Sequence, residues 1–205
     1  MTVYQLFPEP VYFSRLDREL TKGELKTINA QKIKTYKNVG NTTSDDTYIL
    51  NNKALKNLKK DLYKKVLDYF DKVVCTKNSI VPYITQSWLN YTEANQFHHM
   101  HNHANSYVSA VYYIAANNKI DKIIFHRPSA GPQRINLNID KWNTFNSQTW
   151  FYTVKTGDLI LFPSHLTHGV DRKKKEETDT RIALSFNVFI KGTIGNKLQL
   201  TELIL

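Results

Sequence analysis

The spacing of hydrophobic residues along this chain changes near residue 75. Between Lys53 and Val74, the residues Leu55, Leu58, Leu62, Val66, Phe70 and Val73 recur at intervals of three and four. That period paints one apolar stripe on an α-helix, and lysines occupy the other face. The stripe predicts a helix that packs across the outside of a sheet. After Cys75 the texture becomes strand-like, with segments near Ile84 to Tyr91, Tyr107 to Ala116, Lys122 to His126, Trp150 to Lys155, Leu159 to Phe162 and Arg181 to Ile190. Turn signals at Asn117-Asn118, Ser129 to Pro132 and Gly157-Asp158 separate them. Many short strands at this spacing predict a sandwich or jelly roll. Ahead of the helix, the prolines of Phe7-Pro8-Glu9-Pro10 favour an extended segment, an edge strand at most. Residues 21–31 read as a short helix capped by Thr21, and residues 38–48 read as a loop.

The last strand carries two messages. Ile182, Leu184, Phe186 and Val188 point one way, while Arg181, Ala183, Ser185 and Asn187 point the other. The first set requires a core. The second suits the lumen of a ligand-holding barrel, although plain solvent exposure is the commoner fate of such a face.

A chain of 205 residues suggests one domain, divided into a helical and extended preface over 1–78 and a β core over 79–192. The net charge of +10 gathers between Lys53 and Lys65 and in Arg172-Lys-Lys-Lys175. A solvated helix face and an exposed loop account for it, and no nucleic-acid recognition motif accompanies it, so a nucleic-acid partner is not favoured. No apolar run is long enough to cross a membrane. The N-terminus lacks the layout of a signal peptide, and Cys75, the single cysteine, excludes an intrachain disulfide. A cytoplasmic protein is expected, with Cys75 as a buried small hydrophobe at the helix end.

Chemistry enters with the histidines. Four of the seven lie in His98-His-Met-His-Asn-His103. In extended backbone, His99, His101 and His103 share one face, and neighbours at i and i+2 can grip one metal. Neutral imidazole suits Fe, Zn, Cu and Ni alike. A further ligand then comes from His126, His165 or His168. By itself a histidine-rich tract is only a compositional hint and serves equally as a polar loop.

Several stretches occur in a telling order: Ser87-Trp-Leu-Asn-Tyr-Thr92, His101-Asn-His-Ala-Asn-Ser106 running into Ser109-Ala-Val-Tyr-Tyr-Ile114, Gly157-Asp-Leu-Ile-Leu-Phe-Pro-Ser164 running to His168-Gly-Val170, and Arg181-Ile-Ala-Leu-Ser-Phe-Asn187. Together they resemble the Fe(II)/2-oxoglutarate-dependent oxygenases, in particular a set of small members found in phages and bacteria. The resemblance covers about half the chain. It implies a double-stranded β-helix, a cupin-like jelly roll flanked by helices, with Fe(II) and 2-oxoglutarate as cofactors; a phage-encoded member would act in the host cytoplasm. His101 matches the first iron ligand and His168 the distal one. The usual carboxylate position falls on His103, a departure that leaves a neutral three-histidine site and an iron of undiminished double charge. A pairing of His99 with His101 is the internal competitor. By the same resemblance, Arg181 receives the far carboxylate of 2-oxoglutarate in a bidentate manner, Ser185 shares it, and Tyr113 donates to the cofactor. Asn90, Asn105 and Asn187 lie near the motifs, but ordinary turn or strand-end roles are favoured for them. Trp88, Trp142 and Trp150 are expected in the core or the pocket wall, and Tyr112, of opposite parity to Tyr113, against the helices.

The expected activity is oxidation of a substrate, most often hydroxylation, with release of succinate and CO2. The substrate is a protein side chain, a small molecule or a nucleobase. Two rivals stand beside it: a three-histidine cupin-like or zinc-holding protein that makes no use of 2-oxoglutarate, and a nucleic-acid-binding jelly roll. Arg181 separates the first rival, since a cupin needs no arginine there.

Overall fold

The computed structural model describes residues 2–128 and 137–205. The turn expected at Ser129 to Pro132 lies outside the described residues.

Two helices form where the sequence places them. The helix α1 (Lys22–Ala30) begins at Thr21, whose hydroxyl accepts from the Glu24 backbone N–H while the Glu24 carboxylate accepts from the Thr21 N–H. This reciprocal bonding satisfies two donors that a helix start leaves open. The long apolar stripe divides into a 3₁₀ turn (Lys53–Leu55), the helix α2 (Lys56–Tyr69) and a π turn (Phe70–Val74). The wider π turn rotates Val73 out of the stripe, so Val73 is exposed and Tyr69 takes the buried position. Cys75 follows in the left-handed conformation at φ 48° and is exposed, contrary to the expectation of burial, because the chain turns outward there.

The strands assemble into two antiparallel sheets. The larger follows the order β1 (Tyr12–Arg15), β9 (Asp158–Pro163), β6 (Val108–Ala115), β11 (Arg181–Ile194), β4 (Ile80–Thr92), β3 (Thr42–Ser44) and β2 (Thr35–Lys37), with β12 (Leu203–Ile204) added to β11. The smaller runs β5 (His98–His101), β10 (His168–Val170), β7 (Lys122–His126) and β8 (Thr149–Thr153). The segment expected as a loop over 38–48 therefore contains a strand. Thr42 and Thr43 pair with Tyr91 and Asn90, where β-branched side chains suit the open side of β4. Residues 1–78 thus supply three strands to the larger sheet as well as both helices.

The outer face of the larger sheet meets α2. Leu58, Leu62 and Val66 are fully buried there with Leu89, Leu184, Phe186 and Val188. Tyr112 belongs to this cluster, as its parity predicts. The inner face looks toward the smaller sheet. Side chains from both sheets, including Arg181, Tyr113, His101 and His168, line one cavity between them. The polar set of β11 faces this lumen, not bulk solvent.

Candidate metal centre and cofactor pocket

His168 and His101 are direct cross-strand partners in the β10–β5 pair, which places their side chains on the same face. Gly169 lets these strands touch. A Cβ there would lie 2.5 Å from the Met100 sulfur and 2.9 Å from the His98 carbonyl oxygen. His103 lies just beyond β5, held by its backbone N–H to the Ser164 carbonyl at 3.0 Å. One ring nitrogen from each of His101, His103 and His168 falls within 4.8 Å of the others. Ring centres are 4.9 Å apart for His101–His103, 4.4 Å for His101–His168 and 5.3 Å for His103–His168. Two imidazoles bound to one metal at ~2.1 Å per bond set their ring centres roughly 4.5–5.2 Å apart; the three separations lie in or just beside that range, and with the converging nitrogens they fit a single ion.

The tautomers are also set. Nδ1 of His101 lies 2.8 Å from the His99 carbonyl oxygen, and Nδ1 of His168 lies 3.0 Å from that of Leu166. A carbonyl only accepts, so both Nδ1 atoms carry the proton and Nε2 keeps its lone pair. Burial, reinforced by neighbouring rings, holds the imidazoles neutral: His168 is lowered to about 3, His103 to about 4, and His101 is lowered as well. No carboxylate joins this triad among the described residues. His126 and His165, the other candidates for a distal ligand, are exposed, and His165 meets Glu9 at 3.3 Å.

At the other side of the cavity stands Arg181, 4 % exposed. Its Nη2 donates to Thr92 Oγ1 at 2.9 Å, while its buried Nη1 has no hydrogen-bond partner among the described residues. Asp121 Oδ1 lies 3.6 Å from Nη1, close enough for attraction and too far for a hydrogen bond. Burial lowers the Arg181 pKa, opposed by Tyr113 and Asp121; a guanidinium that starts so high stays charged. Asp121 also faces Lys173 Nζ at 3.5 Å, and these two side chains are 2 % and 3 % exposed. Lys173 was expected in an exposed basic loop. Its neighbours are exposed, but Lys173 turns inward to Asp121 and the Asp179 carbonyl. Sequence reasoning missed Asp121 and Lys173, because nothing local marks which charge in a run becomes buried.

Tyr113 and Ser185 line the same cavity. Burial raises the Tyr113 pKa, so its phenol keeps its proton as a donor. Ser185 belongs to a relay: Thr43 Oγ1 donates to Asn90 Oδ1 at 3.0 Å, and Asn90 Nδ2 donates to Ser185 Oγ at 3.1 Å. Ser185 is an acceptor there, which frees its own O–H to donate into the cavity. Ser109 donates to Asn187 Oδ1 at 3.1 Å and also meets Ser164. Asn90 and Asn187 are therefore pocket residues, contrary to the blander roles favoured for them, whereas Asn105 occupies a turn at φ 53°. Trp88 lies beside His103, with ring centres 5.6 Å apart, but Trp142 is exposed, against expectation.

The strict alternation expected for the histidine tract does not hold. Two steps along β10 (His168 to Val170) face three steps along β5 (His101 to His98). This bulge resets the side-chain phase, and His98 joins His101 and His103 in lining the cavity.

Comparison with known proteins follows the same lines. Residues 86–187 match a family described as "Putative 2OG-Fe(II) oxygenase". No curated protein matches the sequence. Among solved structures, an oxidoreductase of the 2OG-Fe(II) oxygenase family from Burkholderia pseudomallei is 15% identical with a TM-score of 0.57, covering 87% of this chain and 83% of that one. HygX from Streptomyces hygroscopicus, with nickel and 2-oxoglutarate bound, is 13% identical with a TM-score of 0.59, covering 88% and 82%. SnoN, a non-heme alpha ketoglutarate dependent epimerase from nogalamycin biosynthesis, is 8% identical with a TM-score of 0.59, covering 88% and 78%. At these identities the likeness is one of fold, the double-stranded β-helix.

Proposed function

This chain belongs to the 2OG-Fe(II) oxygenase superfamily, and from that premise we propose that it couples oxidation of a substrate C–H bond to conversion of 2-oxoglutarate to succinate and CO2. Hydroxylation is the expected outcome. His101, His103 and His168 hold Fe(II) through three neutral nitrogens, and Arg181 anchors the far carboxylate of 2-oxoglutarate. The observation that carries this reading is the unpartnered, buried Nη1 of Arg181 in the cavity that the three histidines line. A buried guanidinium N–H without a partner is costly, and a carboxylate is the group whose geometry satisfies it best.

Bound iron and 2-oxoglutarate together supply the activation of O2. The chain's own residues do the rest. Held by His101, His103 and His168 alone, the metal would remain open to 2-oxoglutarate and O2. The Thr43–Asn90–Ser185 relay leaves the Ser185 hydroxyl free to donate in the cavity that Arg181 also lines. Tyr113 presents a protonated phenol in the same cavity. Asp121 and Lys173 stand behind Arg181 and sum with it to a single positive charge, matched to one incoming carboxylate. The apolar walls Ile123 and Phe162 exclude water. The substrate is a protein side chain, a small molecule or a nucleobase.

The test is anaerobic addition of Fe(II) and then 2-oxoglutarate, watched for the weak visible charge-transfer band of the chelate. A band that requires both supports the reading. Metal bound without a band overturns it in favour of a three-histidine cupin-like protein that makes no use of 2-oxoglutarate.

A further inference from the structure

The bulge in β5 gives His101 a second set of neighbours. His98, His99 and His101 each offer a ring nitrogen, and these lie within 4.8 Å of one another. Ring centres are 5.3 Å apart for His98–His99, 4.6 Å for His98–His101 and 4.8 Å for His99–His101. These separations match two imidazoles on one ion, roughly 4.5–5.2 Å, as closely as those of the first triad do. Nδ1 of His99 is buried and has no hydrogen-bond partner among the described residues. His98 Nε2 meets only a weak contact, the Asn38 amide nitrogen at 3.4 Å. Asn38 Oδ1 is engaged by the Val39 N–H at 2.8 Å, so the amide presents its N–H to the ring and leaves Nε2 as an acceptor. Two imidazoles with weak or absent partners, His98 and His99, thus stand beside His101, and no function yet described uses them.

We propose that His98, His99 and His101 form a second position for a divalent ion of the Zn2+ or Co2+ type, exclusive with the His101–His103–His168 position. Exclusivity follows from His101. Its Nδ1–H is committed to the His99 carbonyl, so only Nε2 can bind metal, and one lone pair serves one ion. The inference rests on the reading of the first triad as the iron position. Three neutral nitrogens without a carboxylate suit Zn2+ and Co2+ by donor type, and raw affinity for them exceeds that for Fe(II). On the reading of the first triad as the iron position, 2-oxoglutarate chelates the ion there, so its binding favours that position over the second. The chain therefore holds one ion in one of two places, and the co-substrate selects between them. A ligand moves such an equilibrium by its differential affinity for the two states.

The experiment is titration of the purified chain with Co2+ alone, followed by its visible absorption. The double variant His103→Ala/His168→Ala is expected to bind one equivalent, and adding His98→Ala/His99→Ala to it abolishes that binding. Wild type is expected to bind one equivalent, not two. A folded double variant that takes up no Co2+ overturns the second position, and two equivalents in wild type overturn exclusivity. Should the alanine pair fail to fold, as judged by circular dichroism, His103→Gln/His168→Gln keeps the volume and serves the same test. The iron and 2-oxoglutarate band of wild type is read separately: its absence beside Co2+ binding by the double variant removes the proposed activity and leaves this metal position standing.

Discussion

Consecutive residues of β11 live in two different environments. Leu184 is 0 % exposed beneath α2, and Ser185 is 9 % exposed on the cavity side. Both faces are hidden from water, yet only the outer one is apolar throughout. The outer face gains free energy from burial at ~25 cal/mol per Å2 of apolar surface. The inner face buries Arg181, Asp121, Lys173 and several hydroxyls and imidazoles, each of which must recover its lost hydration from a partner. One face is therefore built for stability. The other is kept at a cost to stability, as expected of a pocket that waits for a ligand.

The two faces should fail differently, beginning with acid. In the metal-free protein, burial first and neighbouring rings second lower His98 to about 2, His168 to about 3 and His103 to about 4. An unfolded histidine titrates near ~6.5. Below that value the unfolded chain binds more protons than the native one, so the contribution to stability is whole above ~6.5 and is lost progressively as pH falls through the native values, about 4, about 3 and about 2. Thermal melts of metal-free protein at a series of pH values should show this decline, and added Zn2+ should shift it to lower pH. A flat profile would mean that the imidazoles are not buried.

Arg181→Ala should leave metal bound and weaken 2-oxoglutarate on the order of 100-fold or more, since losing one partner of a buried charge pair costs ~2–5 kcal/mol. Retained 2-oxoglutarate affinity would remove Arg181 from its role. Asp121→Asn leaves Arg181 and Lys173 as uncompensated buried cations and should destabilise the ligand-free protein by about 3–5 kcal/mol. Metal plus 2-oxoglutarate should then raise its melting temperature by more than wild type's, because the arriving carboxylate restores an anion. Equal shifts would show that Asp121 is unconnected to the anion site. Leu184→Ala, one residue from the pocket but on the other face, should cost about 2–5 kcal/mol in urea unfolding while leaving the chelate band intact. Ser185→Ala should have the smallest effect, a loss of ~1 kcal/mol or about 5-fold in 2-oxoglutarate affinity by titration, with stability nearly unchanged.

Much of the outer face was legible in the sequence. The three- and four-residue spacing of Leu58, Leu62 and Val66, and the alternation of Ile182 to Val188, are local periods that a hydrophobic core enforces on every helix or strand it covers. Thr21 announces α1 for a similar reason, since a helix start needs a side-chain acceptor. The histidine tract, His168 and Arg181 stood out by type and order, and the fold gathers His98, His101, His103, His168 and Arg181 round one cavity.

What only the tertiary structure decided is how those groups meet. Strict alternation puts His99 with His101 and His103, whereas the bulge of β5 against β10 brings His98 into the cavity. Register between strands 67 residues apart in sequence, as His101↔His168, is set by pairing and by the close approach that Gly169 permits, and no local pattern encodes it. Asp121 and Lys173 look like ordinary surface charges in the sequence, yet in the fold Asp121 is buried between Arg181 and Lys173. A period reveals which way a residue faces within its own element. Which unlike charges and which lone pairs converge depends on packing between elements, where burial and electrostatics act over distances the chain itself does not record.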